Sequence, residues 1–255
     1  MAEWVETNVN GYNVYAYDGN DWVAVNKTYA YWEKSNESPE SWFSWSGNTI
    51  VGLTGKYENG SLVYDENCGY RQFDYVIPKR CTAIGSFFAS MVENVDTGVI
   101  KQDIYTTPRG INNVYIPDTV VTIDRGAFAY TNNLMVIRLP NNLTSISSAL
   151  FAQASHTGYF DITIPHKIQE IQQGAFAMPY THVRLKFIRD ASYTGQISIP
   201  NELVSSSGAT TIYELYFTCS ETEANSLFNW GTNTSYTQNQ FANATKYYDQ
   251  TITND

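Results

Sequence analysis

Cysteine and positive charge are both scarce in this chain of 255 residues, and each scarcity argues against a class of function. Three cysteines, Cys68, Cys81 and Cys219, are too few and too scattered for a disulfide framework or a paired-cysteine metal site, so we expect free core thiols. Lysine and arginine total 15 against 25 acidic residues, which gives a formal net charge of −10. Nucleic acids and anionic membranes attract clustered positive charge, so neither is an expected partner.

Long apolar runs and catalytic signatures are also missing. No run of about 18 apolar residues occurs, so no membrane insertion is expected. The opening residues MAEWVETNVNGYN lack basic and apolar regions, which predicts no secretory signal in the sequence as written. We find no nucleophile elbow, HExxH helix, P-loop or dinucleotide fingerprint. The sequence therefore predicts a protein that is not an enzyme and carries no cofactor.

Three histidines and two pairs of carboxylates remain as candidates for chemistry. The histidines fall in different repeats and could meet on one face, but surface histidines are favoured over a metal site, so no metal is predicted. The carboxylate pairs could serve as the two acids of a glycosidase, which lie about 5 to 10 Å apart. We favour the alternative that they are solvated surface residues. These residues are His156, His166 and His182, then Glu221 with Glu223, and Asp118 with Asp124.

The chain is rich in residues that favour strands. Aromatic residues make up 15% of it, with 20 tyrosines, whereas charged residues make up only 16%. Tyrosine, threonine, valine and isoleucine are enriched in strands. The composition therefore favours a mainly β protein, and the length allows one large domain or two modest ones.

A repeat occupies the middle of the chain. "VYIPDTVVTIDRGAF", "IRLPNNLTSISSALF" and "ITIPHKIQEIQQGAF" each place Ile six residues and Phe eleven residues after Pro, and "YVIPKRCTAIGSFF" keeps the plan with one residue fewer before Phe. The prolines of the three full copies are 23 and 25 residues apart, and a repeat period between 20 and 30 residues indicates a solenoid. The repeat residues are Pro78 and Phe88, Pro117 and Phe128, Pro140 and Phe151, and Pro165 and Phe176.

Each repeat predicts one coil. The alternating apolar residues before Pro form a short strand with one face inward, and Pro ends the strand. The Phe fills the far side of the coil, and stacked coils share a core that no single coil could bury.

The same strand positions continue towards the C-terminus. Leu185 and Phe187, then Leu215 and Phe217, follow the series, which makes "ISIPNEL" around Pro200 an insertion that could form a hairpin. A competing register places the strand at Ile197–Ile199, and we favour the first. A second insertion, "VENVDTGVIKQDIYTTPRG", separates the first two coils. Insertions in solenoids often lie on the binding face.

The pattern "IP-x-x-V-x-x-I-x-x-x-A-F" resembles the BspA-type leucine-rich repeats, which occur in bacterial surface proteins and some phage proteins. "NTIVGLTGKYENG" resembles the opening of such arrays, and "CSETEANSLFNWG" with "ATKYYD" resembles their closing helix and strand. The resemblance covers residues of about 48 to 250. It implies a right-handed solenoid of about five or six coils used for adhesion, without catalytic residues.

Residues 1–46 differ from the repeats and are predicted to form a separate aromatic β module. "VYAY" and "WVAV" flank Asp18–Asp21 as a hairpin, and "KTYAYW" could add a third strand. This module resembles small attachment modules of phage tail and head-fibre proteins. The alternative is an aromatic mini-core that caps the solenoid, which spans residues 47–255. The attachment residues in this interpretation are Trp4, Trp22 and Trp45.

The closing segment predicts a helix with its own cap. Ser220 is a helix N-cap with Glu223 three residues later, which is the spacing of a capping box. The C-terminal cap is expected over residues of about 219 to 250, where it covers the last coil.

Non-enzymatic recognition is the function these patterns favour, in one of two settings. A phage virion component, in contact with other virion proteins or a host surface, is favoured over a bacterial surface adhesin that binds host protein or glycan. A glycan-active hydrolase is the weakest alternative, and a homo-oligomer is left open. Exposed aromatic residues on insertions are the expected binding residues: Tyr105, Tyr193, Trp32 and Trp42.

Overall fold

The computed structural model of the protein describes residues 4–6, 15–17, 22–24, 37–63, 65–69, 74–102, 111, 113–131, 134, 136–154, 158–178, 181–189, 195–204, 211–230 and 235–252. This part of the chain is mainly β, which confirms the predicted fold class. The elements are β1 (Trp4–Glu6), β2 (Tyr15–Tyr17), β3 (Trp22–Ala24), β4 (Phe43–Ser46), β5 (Thr49–Glu58), β6 (Ser61–Val63), β7 (Asp74–Val76), β8 (Ala83–Ile84), β9 (Met91–Asn94), β10 (Ile100–Gln102), β11 (Asn113–Tyr115), β12 (Thr122–Ile123), β13 (Val136–Arg138), β14 (Ser145–Ile146), β15 (Gly158–Ile164), β16 (Glu170–Ile171), β17 (Thr181–Phe187), β18 (Ile197–Ile199), β19 (Thr211–Phe217), α1 (Glu221–Ser226), β20 (Phe228–Trp230), α2 (Ser235–Asn243) and β21 (Thr245–Tyr247).

One side of the repeats is formed by the strands that precede the repeat prolines and by strands at equivalent positions further along the chain. β7, β11 and β13 pair in parallel, and β15, β17, β19 and β21 form a second parallel group. Val114 pairs with Ile137, and Leu185 lies between Ile162 and Leu215. The predicted series of strand positions is therefore confirmed, including "VRLKF" and "IYELYF". The number of coils stays a prediction.

The opposite side carries shorter strands. β8 pairs in parallel with β5 and β12, and β14, β16, β18 and β20 continue the same arrangement. The core fills the space between the two sides, where side chains such as Ile116, Ile123 and Ile146 are completely buried or nearly so. Stacking of coils buries a continuous apolar surface, which is the source of stability in repeat proteins.

The segment around Pro200 corrects one prediction. Ile197–Ile199 is not an insertion or a hairpin, because it pairs in parallel with β16 and β20 on the short-strand side. "VRLKF" and "ISIP" are thus the two strands of one coil, on opposite sides of the core. Both of the segments that the sequence presented as alternatives are therefore strands.

The repeat template controls the backbone at two places. The carbonyl oxygen of each repeat Pro accepts a hydrogen bond from the amide three residues later, as in Val120 N to Pro117 O at 3.0 Å, so each strand ends in a turn. Nine residues after each Pro the backbone is left-handed, with φ between 55° and 66°. Each of these residues donates its amide to a carbonyl of the next coil, and they are Phe87, Gly126, Ala149 and Gly174.

The repeat phenylalanines form a column through the stacked coils. Phe128, Phe151 and Phe176 are fully buried, and their ring centroids are 6.0 Å apart at each step. Phe88 continues the column, 5.8 Å from Phe128 and edge-on to it. Aromatic pairs at such separations add to the stabilisation from burial.

The N-terminal strands and the first coil are described separately. β2 and β3 pair antiparallel as the predicted hairpin, with β1 on the other edge of β2. "KTYAYW" lies outside the described residues. β4 pairs antiparallel with β5, and Phe43 belongs to the main core. Residues 43–46 thus pair with the repeats, while the division into two units at residue 46 stays a prediction.

The C-terminal segment contains two short helices and two strands that pack against the last repeat strands. Ser220 Oγ accepts a hydrogen bond from the Glu223 amide, and Glu223 Oε2 accepts one from the Ser220 amide, which is a capping box. α1 is followed by β20, α2 and β21, and β21 pairs in parallel with β19. Phe228 and Phe241 pack edge-on at 5.1 Å in the same core.

Candidate aromatic and charged binding face

A row of polar and aromatic side chains covers the outer face of β15, β17, β19 and β21. Alternate residues of these strands face the core, as Phe160, Ile162 and Ile164 do in β15. The residues between them face outward at matching register, because parallel strands place equivalent residues side by side. We name this surface the outer ladder: Tyr159, Asp161, His182, Arg184, Lys186, Tyr213, Glu214, Tyr216 and Tyr247.

Three rings meet at the end of the ladder where the strands begin. The centroid of Tyr159 lies 5.6 Å from that of His182 and 5.2 Å from that of Tyr213, and His182 lies 5.5 Å from Tyr213. His182 Nδ1 lies 2.8 Å from Thr211 Oγ1. The relative exposure of Tyr159 is 36% and that of Tyr213 is 44%, so both rings are presented to solvent.

A β-bulge brings Tyr213 into this cluster. Val183 pairs with Ile212 and Arg184 with Glu214, so Tyr213 is an additional residue in β19. Bulges reorient side chains and are frequent beside functional sites. Tyr213 and Glu214 consequently both lie on the outward side, between the buried Ile212 and Leu215.

Four charged side chains form a network in the middle of the ladder. Arg184 Nε lies 2.5 Å from Asp161 Oδ1, and Arg184 Nη1 lies 3.7 Å from Glu214 Oε2. Lys186 Nζ lies 2.7 Å from Asp161 Oδ2. Burial lowers the pKa of Arg184, but the charge and hydrogen bond of Asp161 together with the charge of Glu214 and the neighbouring Tyr216 outweigh it, so the pKa of the guanidinium is raised. Two positive and two negative groups therefore balance one another.

A stacked tyrosine pair completes the ladder. The rings of Tyr216 and Tyr247 are 4.7 Å apart and nearly parallel, and the ammonium of Lys186 lies 6.0 Å from the Tyr216 centroid. Tyr216 donates its hydroxyl hydrogen to Glu214 Oε2 at 2.6 Å. Burial and this hydrogen bond raise the pKa of Tyr216. The phenol is therefore held in its neutral form.

The structure describes only part of the predicted binding set. Tyr105, Tyr193 and Trp32 lie outside the described residues, and Trp4 and Trp22 are described only as backbone in strands. Their roles stay predictions.

Trp42 and Trp45 pack against the first coil. Trp42 is half-buried rather than freely exposed, with Nε1 donating to the Glu66 carbonyl at 3.1 Å and its ring edge-on to Tyr75. The guanidinium of Arg80 lies 3.5 Å from the centre of the half-buried Trp45 ring. Both rings therefore contribute to packing at this end, and binding or attachment by either stays a prediction.

The carboxylate pairs do not resemble a glycosidase centre. Partial burial raises the pKa of Asp118, but hydrogen bonds from Arg138 and Asn141 outweigh it and lower the pKa. The capping hydrogen bonds with Ser220 lower the pKa of Glu223. A glycosidase acid requires a raised pKa, so Asp118 and Glu223 are unsuited to that role.

Neither metal binding nor a membrane span is indicated in the described parts of the chain. No three His, Cys, Asp or Glu side chains come together there as a metal site. His156 lies outside those parts, and His182 belongs to the outer ladder. No helix among the described residues is long and apolar enough to cross a membrane.

Burial keeps the three cysteines as the free thiols that the sequence predicts. Cys68, Cys81 and Cys219 form no disulfide and are buried. Desolvation raises the pKa of each thiol.

Sequence reasoning missed the outer ladder because it searched the insertions for exposed aromatic residues. The available signal was the outward position of each strand: Tyr159 precedes the buried Phe160, and His182 and Tyr216 each occur between two buried residues. The insertion "VENVDTGVIKQDIYTTPRG" includes part of a hairpin that the sequence did not predict, formed by β9 and β10, with exposed Val95 and Val99 between the two strands.

Comparison with known proteins identifies the class of the repeats. Residues 98–190 match the family model described as BspA type leucine rich repeat region, in 6 copies. This part of the chain is therefore a BspA-type leucine-rich repeat region, as the proline-centred template indicates. The match does not include residues 1–46, and the expected likeness of that segment to phage modules has no counterpart in the comparisons.

One solved structure is similar at low identity. It is a leucine rich cell surface protein from Faecalibacterium prausnitzii A2-165, with 19% identity over 61% of this chain and a TM-score of 0.37. The chain spans 50% of the length of that protein. No curated protein matches the chain significantly.

Proposed function

We propose that this protein is a non-enzymatic recognition protein that binds its partner through the outer ladder. One observation carries the proposal: four adjacent strands place exposed aromatic rings next to a network of two positive and two negative side chains. Parallel pairing aligns these residues from strand to strand. Exposed aromatic side chains beside polar groups are frequent anchors of binding surfaces. The rigid strands hold these groups in fixed positions, so little conformational entropy is lost when a partner binds.

Adhesion at a bacterial cell surface is the setting we propose. The repeat class supports it, since the resemblance to BspA-type repeats implies adhesion. A virion component was the first expectation from the sequence, on the absence of a secretory signal, the free thiols and the likeness of residues 1–46 to phage modules. The comparisons offer no support for that likeness. The surface setting, which was the alternative, is therefore preferred.

Fractionation of the source culture tests the setting. Peptide mass spectrometry on the cell-envelope fraction and on gradient-purified phage particles measures where the protein resides. We expect peptides in the envelope fraction. Stoichiometric recovery in the particles, with none in the envelope, would contradict the surface setting and support a virion component instead.

A bead assay tests recognition through the ladder. Beads coated with the protein are counted on epithelial cell monolayers, beside beads coated with a Tyr159→Ala/Tyr213→Ala variant. We expect the double variant to lose most adhesion, because it removes both exposed rings of the cluster. Val121→Ala is the control, since Val121 is exposed outside the ladder. Equal adhesion of all three proteins would refute a recognition role for this surface.

A further inference from the structure

We propose that the outer ladder binds neutral oligosaccharides, with the cluster of Tyr159, His182 and Tyr213 as a stacking platform and the charge network as the partner of sugar hydroxyls. This inference rests on the proposed recognition function and names its class of ligand.

The ring cluster suits the apolar face of a sugar. The planes of Tyr159 and Tyr213 are tilted by 57°, and that of His182 is tilted by 38° and 52° from them, so the three rings do not stack face to face. The guanidinium of Arg184 lies 4.7 Å from the centre of the Tyr159 ring, so the more exposed Tyr213 is the principal stacking surface. A pyranose presents a face of C–H groups that packs on aromatic rings, while its hydroxyls point outward from the edge. Tyrosine provides such contact area at low entropic cost, because its side chain has only two torsions.

The charge network selects for a ligand without net charge. Asp161 and Glu214 oppose Arg184 and Lys186 within the ladder, so the surface holds no surplus charge for a phosphate, sulfate or carboxylate. Their side chains retain between 15% and 31% exposure, so the edges of the network reach solvent. A sugar hydroxyl both donates and accepts hydrogen bonds, and the network presents carboxylate acceptors beside cationic donors.

The charge of the whole chain points the same way. At a net charge of −10 the protein repels polyanions such as sulfated glycans over long range. Nucleic acid is disfavoured for the same reason. A neutral glycan is not affected by this field.

The length of the ladder favours several linked sugars over one. Tyr213 and Tyr216 are three residues apart in β19, which corresponds to about 10 Å along a strand. Tyr247, which is exposed and has one face stacked on Tyr216, thus provides a second aromatic ring beyond the charge network. An oligosaccharide can contact both surfaces at once, whereas a monosaccharide contacts one.

A glycan array followed by calorimetry tests the proposal. The array carries neutral milk and plant oligosaccharides beside sialylated and sulfated forms of the same structures, and isothermal titration then measures the affinity of the best neutral compound. We expect neutral compounds to bind, and Tyr213→Ala to weaken that binding about tenfold or more, as expected when an aromatic anchor worth roughly 1.4 kcal/mol is lost. Tyr213→Phe keeps the ring and should retain most of the affinity.

Matched variants separate binding from folding. Tyr57→Ala removes a half-buried tyrosine of β5 outside the ladder and should leave the affinity unchanged. The melting temperature of each variant is measured in parallel, and Tyr247→Ala supplies a second test at the other end of the ladder if Tyr213→Ala unfolds. Since the charges of the network cancel, the affinity should change little between low and high salt.

The outcomes distinguish the ligand class from the recognition function. If no neutral glycan binds, yet beads still adhere through the ladder to cells whose glycans have been removed enzymatically, the ligand is a protein and the glycan proposal is overturned. Tighter binding of sialylated or sulfated forms, with strong salt dependence, overturns neutrality. If adhesion to cells is independent of the ladder as well, the proposed recognition function fails with it.

Discussion

Replacing Phe151 by alanine tests the stacking of the coils most directly. Phe151 is fully buried at the centre of the phenylalanine column, 6.0 Å from both Phe128 and Phe176 and 5.6 Å from Phe160. Truncation of a buried phenylalanine costs about 3 to 5 kcal/mol, from lost apolar burial and from the cavity left behind. Three ring partners lose their contacts at once, so we expect a value towards the upper end of that range.

Urea denaturation of the full chain measures this cost. The midpoint should fall while the slope against urea is retained, because the variant buries nearly the same total surface. Val121→Ala, at an exposed position with 52% exposure, is the control and should shift the midpoint little. Phe151→Leu should fall between the two. A cost below about 1 kcal/mol for Phe151→Ala would contradict the buried column, since such values are typical of partly exposed side chains.

Four further predictions address the backbone, two titrations and the thiols. Gly174→Ala should cost about 1 kcal/mol in urea denaturation, because φ of +66° strains any L side chain while the added methyl meets only the Cβ of the neighbouring Ala177, at 3.8 Å; an unchanged midpoint would contradict it. The lowered pKa of Asp118 gives stability that is present above its unfolded pKa of about 4 and is lost as pH falls through the folded value, so Asp118→Asn should reduce the acid dependence of the urea midpoint. The raised pKa of Tyr216 gives stability that is present below about pH 10 and is lost as pH rises through the folded value. Glu214→Gln should move the last tyrosine ionisation in an ultraviolet titration to lower pH, and an unchanged titration would refute the effect of Glu214 on Tyr216. The three buried thiols should react with a thiol-specific dye only after unfolding, and rapid labelling of the native protein would show that they are accessible.

Periodic features of the fold were predictable because they depend on local rules. The Pro ends a strand wherever it occurs, and the apolar residues around it must be buried, so strand positions and the phenylalanine column follow from spacing. The capping box at Ser220 is likewise a local pattern. Glycine at positions 126 and 174 indicates a left-handed backbone, whereas Ala149 and Phe87 give no such indication in the sequence. At these two residues the backbone is left-handed as well, and a hydrogen bond to the next coil holds it there.

The two sides of the coil could not be separated by pattern alone. "VRLKF" and "ISIP" are both short alternating strands, and the missing Pro after the first made them look like rivals for one position. The structure gives each strand its own partners, with β17 beside β15 and β18 beside β16. Parallel pairing joins residues more than twenty positions apart, and local propensity carries no information about which side of the core receives a strand.

The sequence by itself therefore determined the class of fold, the repeated strands, the buried column and the free thiols, because burial and turn formation act on neighbouring residues. Only the tertiary structure shows where the outer ladder, our proposed binding face, lies. The outer ladder requires that Tyr159, His182 and Tyr213 come from three different coils, at a register that a bulge shifts by one residue. The bulge adds one residue to β19, which is why Leu185 and Leu215 are thirty residues apart whereas Val183 and Ile212 are twenty-nine apart. It also places Tyr213 on the outward side. Only the pairing between coils shows that Tyr213 belongs to the outer ladder.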